Sequence, residues 1–344
     1  MDSGEKVRKL IRVLAIIGVS AGVGALLLWA QERMPVFKSN INLVVLTFTV
    51  TDGHGHYINN LKPGDFKVLE DGIPEKITTF EEGNAQVMQV MDDGSLRPMA
   101  PSEEQAKPDA SATQVGLDAR SDEFSGTNVF VLFDTSNFMY RGFVYAEDAI
   151  ADFVRGLDKS DSVAIYTFSR NLSRPAPLTR DRSNAINGLR TSVAGDDTAL
   201  YNALLLTLRD AAKVPGRKVV IVFSNGPDNG SMIAPDDVRA VAEDEGIPIY
   251  VISTNEVNKD SISSGVFKRI TSRTGGKAYW AKTWQKQVEA FENIREDLGN
   301  SYTVTYYPAP NPNEGFRKIT IELAKDPGKK LRVRARPGYR PRVG

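Results

Sequence analysis

The chain has 344 residues and no cysteine. That absence removes disulfides, zinc–thiolate centres and thiol nucleophiles together. It leaves the compartment open, because cytosolic proteins and exported proteins that never fold oxidatively share it. Histidine is nearly as scarce, with only His54 and His56 present. Serine nucleophiles need a base within hydrogen-bond reach, and Gly53 and Gly55 place both histidines in a stretch that reads as a hairpin turn. An H-x-H pair without a third ligand is also a poor metal centre. Gly275-Gly276-Lys277 lacks the glycine spacing of a phosphate loop and reads as a helix stop before a strand. Net charge is missing too: 43 Lys and Arg balance 43 Asp and Glu. Nothing in bulk electrostatics therefore points to nucleic acid. These absences disfavour an enzyme, and no small-molecule substrate is expected.

Long apolar runs are rare, which gives weight to the one that exists. Residues 13–30 are uncharged and mostly apolar, and Lys6, Arg8, Lys9 and Arg12 precede them. A run of this length can cross a bilayer core, and the basic flank is expected to stay cytoplasmic. Residues 1–31 are therefore expected to form a basic stub and a single transmembrane anchor, with the bulk of the chain periplasmic or extracellular. A cleaved signal peptide and a secreted product form the alternative, against which the run is long for an h-region.

Beyond the anchor, an apolar share of 41% with 25% charged residues is ordinary for globular protein. Residues 40–83 read as a small β unit: strands at 43–50, 66–70 and 76–80, with turns at 51–56 and at Asp71-Gly72-Ile73-Pro74. Residues 84–127 hold Asp92, Asp93, Pro98, Pro101, Glu103, Glu104 and Pro108 with little apolar periodicity, and read as an acidic linker. Residues 128–300 alternate strand and helix signals. Strands are expected near 128–134, 162–168, 217–224, 247–253 and 276–281, with an antiparallel edge at 172–178, and the pattern demands a mostly parallel sheet covered on both faces. Residues 301–340 return to strands. There Arg332, Arg334 and Arg336 alternate with Val333 and Ala335, which predicts one solvated and one buried strand face. Three strands make a poor core alone, so residues 42–82 and 301–339 are expected to pair into one β-sandwich with the α/β domain inserted between them. The expected fold class is thus α/β, a doubly wound sheet plus a smaller sandwich, preceded by one transmembrane helix.

The most informative stretch is Val129-Phe130-Val131-Leu132-Phe133-Asp134-Thr135-Ser136-Asn137-Phe138. Five apolar residues end in an acid and two hydroxyls, which reads as a buried strand presenting Asp134, Thr135 and Ser136 at its carboxyl end. In open α/β sheets that edge binds ligands. Asp197-Thr198 leads into a second helix signal. Arg217 to Phe223 is a further buried strand, ending in Ser224-Asn225-Gly226-Pro227-Asp228. Together these segments resemble a von Willebrand factor type A domain, and more narrowly the bacterial, Acidobacteria-type group of exported proteins related to it. Thr51-Asp52-Gly53, Asp65-Phe66 and Glu70-Asp71-Gly72 resemble the segment preceding the domain in that group.

The resemblance implies a metal-ion-dependent adhesion site built by three loops, with Mg²⁺ or Mn²⁺ bridging to a partner carboxylate. Asp134, Ser136 and Thr198 match its pattern residue by residue. Phe138 stands where a second Ser is expected and Asn225 where a late Asp is expected, so one hydroxyl and one negative charge are missing from the set a hard cation prefers. Two readings stay open: a degenerate metal site formed by Asp134, Ser136, Thr198 and Asn225, or a metal-free loop cluster. Phe138, Met139 and Tyr140, with Asp197 and Asp228 nearby, are candidates for partner contact, while an inward-packed Phe138 is the alternative. The function implied is recognition of a protein partner in the cell envelope. A metal-independent structural scaffold is the other class.

Overall fold

A computed structural model describes residues 43–99, 126–255, 260–323 and 331–341. The expected anchor at 13–30 lies outside them, as does the expected linker from residue 100 to 125. No helix among the described residues is long and apolar enough to cross a membrane.

The first six strands are β1 (Val44–Thr51), β2 (Phe66–Glu70), β3 (Ile73–Glu75), β4 (Ile77–Glu82), β5 (Met88–Val90) and β6 (Leu96–Pro98). The α/β region follows as β7 (Thr127–Asp134), α1 (Phe143–Arg155), β8 (Ser162–Phe168), β9 (Leu172–Thr179), α2 (Arg182–Arg190), α3 (Leu200–Ala212), β10 (Arg217–Ser224), α4 (Pro235–Glu245), β11 (Ile249–Ser253), α5 (Ser261–Thr274), β12 (Ala278–Trp280) and α6 (Trp284–Gly299). Four strands close the chain: β13 (Ser301–Tyr306), β14 (Arg317–Leu323), β15 (Arg332–Ala335) and β16 (Gly338–Tyr339).

The α/β sheet runs β12-β11-β10-β7-β8-β9. All its pairings are parallel except β8 with β9. Side chains alternate across a strand, and β7 uses that rule to serve two cores. Val129, Val131 and Phe133 join one apolar cluster with residues of α1, α2 and α6. Phe130 and Leu132 join the other with residues of α3, α4 and α5. Helix starts follow local chemistry: the Asp181 carboxylate accepts from Ser183 N and Asn184 N at the head of α2, and Asp260 accepts from Ser263 N at the head of α5. Gly275 stops α5 at φ 85°, as the double glycine predicted.

The N- and C-terminal strands share two further sheets, β15-β1-β13-β4-β5-β6 and β16-β14-β2-β3. β13 lies antiparallel between β1 and β4, with Val45 opposite Thr305 and Val304 opposite Phe80. Leu46, Phe48, Val50, Val68, Tyr302, Val304 and Tyr306 form the common core. The expected union of the two chain ends is therefore present in the register of the strands.

Three expectations differ from what is seen. Ile73 and Pro74, read as the end of the turn Asp71-Gly72-Ile73-Pro74, belong to strand β3, which pairs with β2. Residues 88–98, read as linker, form the hairpin β5–β6 beside β4. Its turn carries Gly94 at φ 79° and a bond from Ser95 N to the Asp93 carboxylate at 2.8 Å, so Asp93-Gly94 is a hairpin signal that an acidic composition obscured. The arginine face of β15 is solvated only in part: Arg332 is exposed, Arg334 half-buried and Arg336 buried. Arg336 is 6% exposed and donates to Val45 O at 2.9 Å, and Arg334 Nη2 meets the Asp297 carboxylate at 2.6 Å. Arg334 and Arg336 pack on the base of the α/β sheet, where carboxylate and carbonyl oxygens accept from their Nη groups, while Arg336 Nε has no partner among the described residues.

Candidate functional site

β7 connects through α1 to β8 on one side, while its other neighbour, β10, comes much later in the chain. The strand order reverses between β7 and β10, and such a switch point opens a crevice at the carboxyl ends. Because Phe133 and Phe223 are in register, the next residues, Asp134 and Ser224, arrive side by side. Ser224 Oγ donates to Asp134 Oδ2 at 2.6 Å, and Ser136 N donates to Asp134 Oδ1 at 2.9 Å. The carboxylate is fully buried. Burial pushes its pKa up, against the pull of the Ser224 and Ser136 donors.

Hydrogen bonds from main-chain amides and two asparagine side chains tie the three rim loops together. Gly195 N donates to Thr135 O at 2.8 Å and Asn137 N to Asp196 O at 3.3 Å, joining the first loop to the second. Thr198 N donates to Asn229 Oδ1 at 2.9 Å, joining the second to the third. Asn225 Nδ2 donates to Phe138 O at 3.1 Å, joining the third back to the first. That bond orients the Asn225 amide, leaving Oδ1 as the free end.

Three buried oxygens of this cluster have no hydrogen-bond partner: Ser136 Oγ, Thr198 Oγ1 and Asn225 Oδ1. Buried polar atoms are nearly always paired. Here the orphans belong to the residues that, with Asp134, make up the expected metal set. All are hard oxygen donors, the type Mg²⁺ and Mn²⁺ take, so the residues fit a divalent cation in ligand type. The set has a single carboxylate. Among the described residues no group of three or more Asp, Glu, His or Cys could hold a metal by itself.

The other candidates are distributed differently. Phe138 is 48% exposed and, with Asn225, Gly142, Tyr145, Thr254 and Trp284, lines a groove beside the oxygen cluster. Met139, expected on the contact surface, turns into the core at 3% exposure with its sulfur 3.5 Å from Thr254 Oγ1. Its thioether fills the space under the rim, as an adaptable apolar side chain does. The side chain of Tyr140 lies outside the described residues. Asp197 stands 3.9 Å from the Arg170 guanidinium. Asp228 accepts from Tyr201 N and Ser231 N at 3.0 and 2.8 Å, so it caps α3 and its own turn. His54 and His56 lie on an exposed turn around Asp52, which accepts from both of their amides.

Two features escaped the sequence reading. Ser224 is the hydroxyl that grips Asp134; its signal was its place at the end of the strand that becomes β7's neighbour. Tyr145 and Trp284, 62% and 45% exposed, complete the aromatic groove. Both lie just inside helices that follow strands, the position that meets the carboxyl rim.

An oxygen-rich, three-loop crevice at the switch point of a doubly wound sheet is the place where open α/β folds bind ligands. Residues 128–294 match the family model of the von Willebrand factor type A domain. The chain is also 28% identical over 155 residues to a dihydroorotate dehydrogenase (quinone) of Rhizobium leguminosarum bv. trifolii, a match covering 45% of this chain and 39% of that protein. The chain thus spans about two-fifths of the length of the curated relatives it matches. Among solved structures, the conserved hypothetical protein BatB of Bacteroides thetaiotaomicron aligns at 20% identity, TM-score 0.42, over 50% of this chain and 97% of its own. A von Willebrand factor type A protein of Catenulispora acidiphila aligns at 11% identity, TM-score 0.43, over 88% and 74%.

Proposed function

We propose that the protein is a membrane-anchored, extracytoplasmic binding module that docks a partner protein on the carboxyl rim of its type A domain. Domains of this family are in general interaction modules rather than enzymes. The observation that carries the reading is the trio of unpartnered oxygens on Ser136, Thr198 and Asn225, in the hydrogen-bonded rim loops at the carboxyl end of the strand that bears the buried Asp134 carboxylate. Asp134 supplies the charge, Ser136, Thr198 and Asn225 supply neutral oxygens, and a bound Mg²⁺ or Mn²⁺ supplies an open coordination position for a partner carboxylate. Ser224 and the Ser136 amide hold the carboxylate in place, and Phe138, Tyr145 and Trp284 offer apolar contact beside it. Asn225 in place of a second acid makes the site weaker and more neutral than a two-carboxylate site. Residues 13–30 anchor the chain, with the N-terminus cytoplasmic.

The test is calorimetry and thermal melting of the full chain in detergent with Mg²⁺ and with Mn²⁺, beside Asp134→Ala. Saturable binding that the substitution abolishes is the expected result. Absence of binding discards the metal-bridged reading. The exposed aromatic groove favours a second reading, metal-independent assembly through the same rim, in which recovery of a partner from solubilised membranes is insensitive to chelator but lost in Phe138→Ala.

A further inference from the structure

Charge is balanced over the chain but not along it. Residues 261–288 contain Lys268, Arg269, Arg273, Lys277, Lys282 and Lys286 and no Asp or Glu. This window builds α5, β12 and the start of α6, one margin of the α/β unit.

β12 is the outermost strand of its sheet. It pairs parallel with β11, Val251 opposite Ala278 and Ser253 opposite Trp280. Val251 N donates to Lys277 O at 3.0 Å, and Ala281 N donates to Ser253 O at 2.7 Å. Main-chain groups alternate in direction along a strand, so Lys277, Tyr279 and Ala281 turn theirs to β11 while Ala278 and Trp280 turn theirs outward. Among the described residues nothing pairs with those outward groups. An edge of this kind is a template for one more strand.

The flanks of the edge are cationic on both faces. On one, Lys268 Nζ lies 5.2 Å from the centre of the Trp280 ring, whose Nε1 donates to Ser264 Oγ at 3.2 Å. On the other, Lys277 Nζ lies 5.0 Å from the centre of the Tyr279 ring. Neither lysine forms an ion pair with a carboxylate of the described residues. Lys268, Thr271, Ser272 and Trp280 line a shallow groove along the strand, which Lys277 borders from the strand's other face.

We propose that the β12 edge receives an extended acidic segment of a partner protein, which adds to the sheet through the outward main-chain groups of Ala278 and Trp280 and pairs its carboxylates with Lys268 and Lys277. The two lysines lie on opposite faces, so successive residues of the added strand meet them, and the segment is one with adjacent acids. A second copy of this chain would set like charges against each other across the new ladder. Nucleic acid and anionic lipid supply negative charge but no main-chain partners in strand register. This surface is separate from the oxygen cluster, and binding here is unaffected by Asp134→Ala.

The probe is a labelled peptide of sequence TVEEVEET and its glutamine twin TVQQVQQT, titrated by fluorescence polarisation into the full chain at low and high salt. The glutamate peptide binds, salt weakens it, and the glutamine twin binds at least about tenfold more weakly. Lys268→Glu with Lys277→Glu costs at least about tenfold as well. Ala278→Pro removes an outward amide that β11 does not use and abolishes binding. Amide exchange at Ala278 and Trp280 slows in the complex. Equal binding of the two peptides, full binding by the proline variant, or no binding of the glutamate peptide overturns the proposal. So does tight binding of oligo-dT or phosphatidylglycerol vesicles that the charge reversals abolish and the proline leaves intact, since that describes a general anion surface. If the charge reversals impair folding, the proline variant and the exchange measurement decide alone.

Discussion

The Ser224 hydroxyl donates to the Asp134 carboxylate at 2.6 Å across the junction of two neighbouring parallel strands. Two residues distant in sequence thus form the floor of the rim crevice. Removing a hydrogen bond to a buried charged group costs about 1.5–3 kcal/mol, so Ser224→Ala is expected to lower stability by about that amount at neutral pH, measured by urea unfolding. The loss shrinks as pH falls and the carboxylate takes up its proton. Burial raises the Asp134 pKa above its ordinary 3.8, so the folded chain takes up a proton before the unfolded chain does. Stability linked to this group is therefore greatest at low pH and falls as pH rises through the folded pKa. A bound cation offsets that fall, and the melting-temperature gain from Mn²⁺ is expected to grow as pH rises.

Asn225→Asp restores the second acid of the resembled pattern. It replaces a neutral oxygen donor by a charged one at a position already oriented toward the first loop through its bond to Phe138 O. Divalent affinity follows ligand charge count, and the expected gain is about tenfold or more in Kd for Mg²⁺ by calorimetry. The variant loses the Nδ2 donor, so without metal it melts lower than the parent and with metal higher. A melting temperature indifferent to Mg²⁺ in both proteins counts against the cation reading.

The doubly wound region was legible because buried parallel strands read as continuous apolar runs. Val129–Phe133, Val163–Phe168 and Val219–Phe223 carry that signal without ambiguity. The union of the chain ends was legible too, since three strands at each end cannot enclose a core alone. What stayed hidden is informative. β3, β5 and β6 have three residues each, too short for alternation to rise above turn and linker composition. The arginine face of β15 looked solvated because a strand shows which residues share a face, not what lies opposite it. At the rim, sequence named the oxygen donors but could not tell Met139 from Phe138: adjacent apolar residues in a tight turn point in different directions, and only the packed core decides which is buried.

Glu81 on β4 is 5% exposed, and burial lifts its pKa to about 7 against the attraction of Arg217. Its Oε1 has no hydrogen-bond partner. Below the ordinary 4.5 both folded and unfolded chains hold the proton and the group is neutral in stability. Between 4.5 and about 7 only the folded chain holds it, so stability falls as pH rises, and above about 7 the full cost is present. Glu81→Gln removes that dependence. The variant is expected to match the parent at pH 4.5 and to exceed it by about 1–3 kcal/mol at pH 8, in the range of desolvation costs for one buried charge. Unfolding curves across that interval check the sign, and a variant weaker than its parent at pH 8 contradicts it.

β13 begins two residues after α6 ends, and it occupies the middle of the first sandwich sheet between β1 and β4. Its Tyr302 and Tyr306 are fully buried, and the Tyr306 hydroxyl donates to the buried Glu70 carboxylate at 3.0 Å, where Tyr339 Oη and Arg317 Nη1 also donate at 2.9 and 2.8 Å. The last forty or so residues therefore complete the core of the first sixty described, rather than adding a separate tail. A chain ending at Asn300 leaves β1 and β4 without the strand between them and Glu70 without three donors. It is expected to lose amide protection across residues 44–82 in hydrogen exchange while the strands β7, β10 and β11 keep theirs, because the α/β cores contain no residue beyond Leu298. Tyr306→Phe isolates the polar part: it keeps the ring in the core and removes one bond to a charged acceptor, for a cost of about 1.5–3 kcal/mol. Protection retained over residues 44–82 in the shortened chain would mean that those strands form a core without β13, against the register in which Leu46 and Phe80 both face Val304.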